Sequence, residues 1–313
     1  MSDVEAASGS AARFELDFAL DLPRTLSPLQ HSRWDPTIRF EAGAAWLTRR
    51  TAHGPATIRV RIEAAPGGAV VDAQAWGPGA ADALEAVPAL AGALDRPDAL
   101  VPAHPLVHEL ARRFPGVRLT RTGQLLPQLV IAVLGQKITG AEMVRAYLGL
   151  LRRVGEPAPG PGGAMGLAVW PTARDVAALP YFEFHPIGVE RRRAELIARL
   201  AAHEAEIEGL MALEPGAARE RLLRIPGVGP WTAAEATRLA FGDPDAVSVG
   251  DAHIPDMVAW SLAGEPRADD ARMLEILAPY AGQRARVVLL LEAAHARAPR
   301  FGPRFRPGDI GRL

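Results

Sequence analysis

Hydrophobic positions follow two different periods along the chain. Between about residues 14 and 76, apolar and polar residues alternate in runs such as TIRFEAG, ATIRVRIEA and GAVVDAQAW, with glycine and proline between the runs. Because alternation buries one face of a strand, these runs predict half-buried antiparallel strands. Farther along, apolar residues recur at spacings of three and four, as in LLPQLVIAVLGQKITGAEMVRAYLGLL, and this spacing predicts amphipathic helices.

The change of period predicts a mainly α protein with a small α+β domain, built on an antiparallel sheet, in front of a larger all-helical domain. We expect a disordered leader at residues 1–12, the α+β domain at 13–95, the helical domain at 96–296 and a basic tail rich in proline and arginine at 297–313. The stretch GEPAPGPGGAMG predicts a loop inside the helical part.

Composition limits the possible chemistry more than the fold. The 313 residues include no cysteine, so disulfides, thiolate zinc sites and cysteine-ligated iron–sulfur clusters are excluded. His104 and His108 have the spacing of a zinc pair, but no third ligand stands near them, and we expect neither zinc nor an organic cofactor. No apolar run is long enough to span a membrane, and no signal peptide is evident. These features predict a cytoplasmic monomer.

Positive charge is concentrated near the C-terminus. The net charge of the chain is −1, yet from residue 284 onward seven arginines stand against only Glu292 and Asp309. This stretch is either a solvated, proline-broken tail or a surface that contacts phosphates. The single lysine of the chain, Lys137, lies far from it, in GQKITG.

The stretch LLRIPGVGPWTAAEA, residues 222–236, predicts two helices joined by a very short hinge. Pro226 stops the first helix and Pro230 begins the second, where its missing N–H costs nothing. Lacking β-carbons, Gly227 and Gly229 would let a phosphate approach the N–H groups and positive dipole at the start of the second helix. A glycine-rich turn between packed helices is the alternative, since such turns are common.

Carbonyl oxygens of the same hinge are candidates for a cation site. Those of Leu223, Ile225 and Val228 could turn toward a hard cation shared with the phosphate, as oxygen ligands do. A sodium or potassium ion is the only inorganic group that we expect here.

A carboxylate follows the hinge at a distance that lets it return to the same place. The helix WTAAEATRLAF covers about 16 Å, and the ten residues of GDPDAVSVGD can span up to about 33 Å. Asp251, at the end of that loop, can therefore lie beside the hinge, directly before a new helix. The N–H groups of a helix end would keep it ionised. The alternative is a plain N-cap, the usual role of an aspartate at a helix start.

A hinge between helices, a loop rich in glycine and proline, and then an aspartate resemble the helix-hairpin-helix superfamily of DNA glycosylases. The residues LLRIPGVGPWTAAEA and VSVGDAHI carry this resemblance. LVIAVLGQKITGAEMVRAYLGLL and IGVERRRAELIARLA resemble segments of the 3-methyladenine DNA glycosylase II branch, the AlkA type, whose small N-terminal domain also matches the strand-rich start. The resemblance spans most of residues 37–290.

The resemblance implies a base excision repair enzyme that rotates a damaged base out of double-stranded DNA and releases it. Asp251 would be the catalytic anion, stabilising positive charge on the sugar and orienting water. Branches that also cut the strand carry a lysine where this chain has Trp231. We therefore expect a monofunctional enzyme for alkylated purines, acting on nucleoid DNA. A glycosylase for deaminated or oxidised bases and a non-catalytic DNA-binding protein are the alternatives.

The resemblance also assigns residues around Asp251. Gln136 and Lys137 occupy the wedge region, and Lys137 would either fill the gap in the duplex or be an ordinary exposed base. Trp231 would stack on the flipped base, unless it is a core residue. Glu235 and Gln283 stand where the AlkA branch has aromatic residues and predict a more polar base pocket. His253 would contact phosphate or cap a helix. The DNA-contacting set is completed by the hinge residues Gly227, Val228, Gly229 and Pro230.

Overall fold

The computed structural model describes residues 9–299, and roughly half of these residues are helical. Five antiparallel strands form the main sheet, in the order β1-β5-β4-β3-β2. These strands are β1 (Ser10–Leu16), β2 (Ile38–Glu41), β3 (Ala44–Thr51), β4 (Gly54–Ala65) and β5 (Gly68–Trp76). One face of the sheet packs on short helices within residues 22–26 and 80–90, as the alternating pattern predicts.

The helices occupy most of the remaining chain. Their bounds are α1 (Leu22–Leu26), α2 (Ala80–Glu85), α3 (Val87–Leu90), α4 (Pro105–Arg113), α5 (Leu125–Leu134), α6 (Gly140–Val154), α7 (Pro161–Ala164), α8 (Ala173–Ala178), α9 (Tyr181–Phe184), α10 (Arg191–Ala202), α11 (Glu204–Gly209), α12 (Pro215–Leu222), α13 (Pro230–Phe241), α14 (Ile254–Ala263), α15 (Asp270–Leu277) and α16 (Arg284–Ala293). Two further short strands, β6 (Glu156–Pro157) and β7 (Ala168–Val169), pair with each other.

Helix α5 lies at the centre of the first helical core. Its sequence, LLPQLVIAVL, is apolar nearly all round, which suits a helix covered on every side. It packs against α13, α10, α11 and α6. Its first N–H groups, those of Leu125 and Leu126, donate to the Glu208 carboxylate at 3.0 and 2.8 Å. A second core joins α4, α14, α15 and α16.

Two predictions about loops are wrong in detail. The predicted leader ends too late, because β1 begins at Ser10 and residues 10–12 already pair with β5. The predicted loop GEPAPGPGGAMG contains β6 and α7, and Ala158 packs with Trp46 of the sheet. The start of the leader and the basic tail from residue 300 lie outside the described residues, and the boundary at residues 95 and 96 stays a prediction.

Buried polar contacts join the sheet to the helices across that boundary. Asp95 pairs with Arg286 of α16, and both side chains are almost fully buried. On the other side, the Arg49 guanidinium donates to the carbonyl oxygen of Thr122 at 2.7 Å, and the Tyr147 hydroxyl donates to Asp35 at 3.0 Å. Because unpairing any of these buried groups is costly, the contacts fix the sheet relative to α5, α6 and α16.

No helix within residues 9–299 is long and apolar enough to cross a membrane.

Candidate active site

The hinge between α12 and α13 uses its two glycines differently. Gly227 has φ +97°, a left-handed conformation that side chains rarely adopt, and a β-carbon there would stand 2.9 Å from Leu196. Gly229 is extended, with φ −95°, and faces open space. Gly227 is therefore needed for the turn itself, whereas Gly229 leaves the start of α13 accessible to a ligand.

Two side chains from outside the hinge hold its carbonyls. The Gln136 amide nitrogen donates to Gly227 O at 2.9 Å and to the Thr232 hydroxyl at 2.8 Å. Arg199 of α10 donates to Pro226 O at 2.6 Å. Gln136 thus joins the segment after α5 to the hinge, a structural use that the sequence did not predict. Its contact with DNA stays a prediction.

The predicted cation ligands lie in the same turn. Val228 is buried in the first helical core, and its N–H donates to Ile225 O at 3.0 Å. A carbonyl oxygen has a second lone pair, so Ile225 O can still accept a cation. Leu223 is 44% exposed, and its carbonyl lies near the end of α12. The cation site of Leu223, Ile225 and Val228 stays a prediction. No group of three or more histidine and acidic side chains suited to a metal occurs within residues 9–299.

Asp251 returns to the hinge helix and caps the next one. One carboxylate oxygen accepts the N–H groups of His253 at 2.7 Å and Ile254 at 3.0 Å, at the start of α14. The other accepts the indole N–H of Trp231 at 3.3 Å. The sequence left two alternatives for Asp251, a position beside the hinge and a helix cap. In the structure Asp251 has both.

Trp231 lies between the end of α5 and the Asp251 loop. The far edge of its indole ring is 3.1 Å from where a β-carbon would stand at Gly135, so Gly135 makes room for the ring. The side chain is half-buried, with its N–H toward Asp251. The ring is therefore fixed on one side and partly accessible on the other, as a stacking surface requires.

Glu235 lies one turn after Trp231 and is already paired. Its carboxylate binds Arg238 at 3.1 Å and also accepts the Ser248 hydroxyl. These three residues line a small cavity of about 20 Å³, which Glu292 of α16 also borders. Burial lowers the pKa of Arg238, but Glu235 and Glu292 outweigh it, and the net pKa is raised. Sequence reasoning missed Glu292 because only the fold brings α16 to α13.

Gln283, which the sequence predicts as a base-pocket residue, lies apart from Glu235 and the residues around it. The side chain is buried, and its carbonyl oxygen accepts the Arg286 guanidinium at 2.6 Å. Arg286 in turn pairs with Asp95. Gln283 lines neither of the two cavities described here, and its amide instead orients a buried ion pair.

Lys137 is exposed in the short segment between α5 and α6. Its backbone has φ +56°, and only His295 shares this left-handed form among non-glycine residues in the part of the chain that the structure describes. Buried Arg193 fixes the segment at one end through Leu134 O at 2.8 Å. A capping box between Thr139 and Glu142 fixes the other. The strained backbone therefore presents the lysine from a firmly held loop.

His253 is exposed at the first turn of α14, and its backbone N–H is used by Asp251. Its side chain thus stands on the surface next to the carboxylate, while its contact with phosphate stays a prediction. Pro230 is likewise exposed, at the start of α13.

A larger cleft lies between the sheet and helices α5 and α6. The cavity within it measures about 90 Å³. Aromatic rings from three parts of the chain line it, those of His31, Tyr147 and Trp170. Gln128 and Ile131 contribute from α5. Sequence reasoning missed the cleft, because the residues that form it are spread over more than a hundred positions and no motif marks them.

Comparison with known proteins identifies sequence relatives, although no family model matches the chain. A Mycobacterium tuberculosis protein, named probable bifunctional transcriptional activator/DNA repair enzyme AlkA, is 31% identical over 165 residues, which cover 50% of this chain and 32% of that protein. A thymine-DNA glycosylase from Aeropyrum pernix is 32% identical over 118 residues, 37% of this chain and 46% of that one. The chain thus spans less than half the length of each curated relative.

Solved structures resemble the whole described fold. The 3-methyladenine DNA glycosylase from Archaeoglobus fulgidus has a TM-score of 0.72 at 19% identity, covering 90% of this chain and 96% of that one. An 8-oxoguanine glycosylase/lyase from Clostridium acetobutylicum has a TM-score of 0.66 at 14% identity, covering 91% and 97%. At these identities the likeness concerns the fold.

The two hinge glycines differ in a way that stability measurements can test. Gly227→Ala forces a β-carbon into a left-handed backbone and against Leu196, so the free energy of unfolding should fall by about 1–3 kcal/mol. Gly229→Ala, the matched control, meets open space and should change it by less than about 1 kcal/mol. Urea unfolding of both variants measures the difference. Equal losses would contradict the separate roles given to the two glycines.

Proposed function

We propose that this chain, which is related to the helix-hairpin-helix superfamily of DNA glycosylases and to its AlkA-type branch, is a monofunctional glycosylase that releases alkylated purines from double-stranded DNA. The observation that carries the proposal is the Trp231 indole N–H bound to Asp251 at 3.3 Å. This hydrogen bond links the Asp251 carboxylate to α13, the helix whose start would bind the DNA backbone. The helices α12 and α13 are the pair that we assign to the hairpin.

The charge arrangement supports a hydrolytic role for Asp251. As the bond between base and sugar breaks, positive charge develops on the sugar, and a fixed anion stabilises that state more than the ground state. Asp251 is fixed by three donors, so it needs little reorganisation during the reaction. The same carboxylate would orient or deprotonate the attacking water. An alkylated purine is already cationic and leaves without a strong general acid.

Trp231 supports release of the base without strand cleavage. Cleavage of the strand by a glycosylase needs an amine that forms a Schiff base with the sugar. Trp231 occupies the position where the resemblance places that lysine, and Lys137, the only lysine, is in the segment after α5. The product would then be an intact strand with an abasic site.

DNA would be held by contacts that do not depend on sequence. The N–H groups at the start of α13 and the open face of Gly229 suit a phosphate. Arg221 and Arg224 are exposed beside this turn, and Lys137 is exposed in the adjoining segment. A basic face of this kind would bind DNA although the chain as a whole carries a net charge of −1.

Base release from defined duplexes tests the activity. Purified protein should generate abasic sites in duplexes containing 3-methyladenine or 7-methylguanine, and the strand should stay intact until alkali is added. Hypoxanthine, 8-oxoguanine and a thymine mismatch form the comparison panel, the last because one relative is named a thymine-DNA glycosylase. Preferential release from the comparison panel would point to the second glycosylase hypothesis. Binding without any release would support a non-catalytic protein.

Replacing the proposed catalytic anion should separate chemistry from binding. Asp251→Asn keeps a capping oxygen but removes the charge, so the rate of base release should fall at least about a hundredfold, while duplex affinity stays the same or increases. Asp269→Asn is the matched control, because Asp269 also caps a helix, through the Arg272 N–H at 2.8 Å. Single-turnover release and duplex binding are the measurements. Unchanged release by Asp251→Asn would refute the assignment.

Lys137 should contribute affinity without sequence preference. Lys137→Ala removes one phosphate contact, so binding should weaken equally for duplexes of different sequence, and the slope of log affinity against log salt should decrease by about 1. Arg13→Ala is the control, since Arg13 is an exposed base on the sheet, paired with Asp72. Fluorescence anisotropy at several salt concentrations measures both slopes. An unchanged slope for Lys137→Ala would place this lysine outside the DNA interface.

A further inference from the structure

The large cleft between the sheet and helix α5 lies close to the proposed active site. Residues Gln128 and Ile131 of its wall lie on α5, and Gly135, one turn beyond Ile131, leaves room for the ring of Trp231. Glu235 and Arg238, one and two turns after Trp231 on α13, act electrostatically on His31 in the cleft. The cleft therefore lies next to the carboxylate-bearing site and not on a distant face.

Most polar side chains of the cleft are already committed to other partners. Arg49 donates to Thr122 O at 2.7 Å, and Arg50 donates to Trp170 O at 2.7 Å. Tyr147 donates its hydroxyl to Asp35, as described above. These contacts hold the walls together but leave few groups for a ligand. A ligand in the cleft would therefore meet aromatic surface and only a few free polar atoms.

Among the described residues, the His31 ring has no such partner. Its backbone N–H donates to Asp35 at 2.9 Å, which fixes the residue at the edge of the cleft. Its ring packs edge-on against Tyr147, with 4.8 Å between ring centroids. Within residues 9–299, neither imidazole nitrogen has a hydrogen-bond partner. An oriented imidazole with a free donor and a free acceptor can form hydrogen bonds with the edge of a planar heterocycle.

The surroundings keep this imidazole uncharged. Burial lowers the pKa of His31 below its ordinary value of 6.5, and Arg238 acts in the same direction. Asp35 and Glu235 oppose this effect without reversing it. The Asp35 charge is shared among several donors, and Glu235 is paired with Arg238. Tyr147, the remaining titratable group packed on the ring, has a pKa raised by burial and stays neutral.

We propose that His31 is a specificity-determining residue, whose neutral imidazole hydrogen-bonds the edge of an everted purine and admits cationic alkylated bases into the cleft. This inference rests on the proposed glycosylase function. A neutral imidazole bonds a purine edge without repelling a positive charge, whereas an imidazolium at the same place repels a cationic base and not a neutral one. The pH at which His31 binds a proton therefore sets the range in which cationic bases are accepted.

The test compares a cationic and a neutral base in otherwise identical duplexes. Single-turnover release of 7-methylguanine and hypoxanthine is measured between pH 5 and pH 8. With wild-type protein, the ratio of the two rate constants should fall at least about tenfold toward acid pH, with its midpoint below 6.5, because His31 becomes charged only there. In His31→Gln, which cannot take up a proton, the ratio should lose this decrease. His31→Asn provides a second uncharged replacement, and thermal unfolding checks that both variants fold.

His53→Gln is the control for a titrating histidine outside the cleft. His53 is exposed and paired with Asp82, which raises its pKa, and its replacement should leave the ratio as in the wild type. A ratio that follows the wild-type pH profile in His31→Gln and His31→Asn would overturn the inference. If base release still requires Asp251 in that case, the proposed function survives. Release of neither base by wild-type protein would overturn both.

Discussion

The hydrogen bond from the Trp231 indole to Asp251 is the interaction on which the proposed site depends. It joins two segments that are twenty residues apart and begin different helices, α13 and α14. The same carboxylate caps α14 through two backbone N–H groups. A carboxylate held from both sides cannot turn away to solvent, and a preorganised charge is the kind that stabilises a developing cation.

Helix α5 supplies the rigid support for this interaction. Glu208 caps its start, and Arg193 holds its last carbonyl, so the segment that follows begins from a fixed point. Gln136 in that segment binds the hinge, while Gly135 receives the ring of Trp231. The hinge, the strained Lys137 and the indole are thus positioned by one buried helix. The sheet meets the other end of α5 and closes the aromatic cleft over it.

Local patterns in the sequence predicted the features that neighbouring residues determine, namely secondary structure and turns. Alternation predicted the strands, and the prolines and glycines of LLRIPGVGPWTAAEA predicted a turn between α12 and α13. Chain length predicted that Asp251 could return to the hinge, but not that Trp231 would bind it. The sequence assigned Glu235 to a polar base pocket but did not predict that Arg238 and Ser248 pair with it. No local motif specifies how distant elements pack. That packing determines the pairing of Gln283 with Arg286, the place of Glu292 beside the small cavity, and the position of His31.

The central claim is that the hinge and Asp251 act on one nucleotide of a bound duplex. A crystal structure with a duplex containing a stable abasic-site analogue tests this claim most directly. We expect a phosphate against the N–H groups at Gly229 and Trp231, and the Asp251 carboxylate in contact with the sugar of the extruded nucleotide. Binding of the duplex to another face, with Asp251 remote from every sugar, would contradict it.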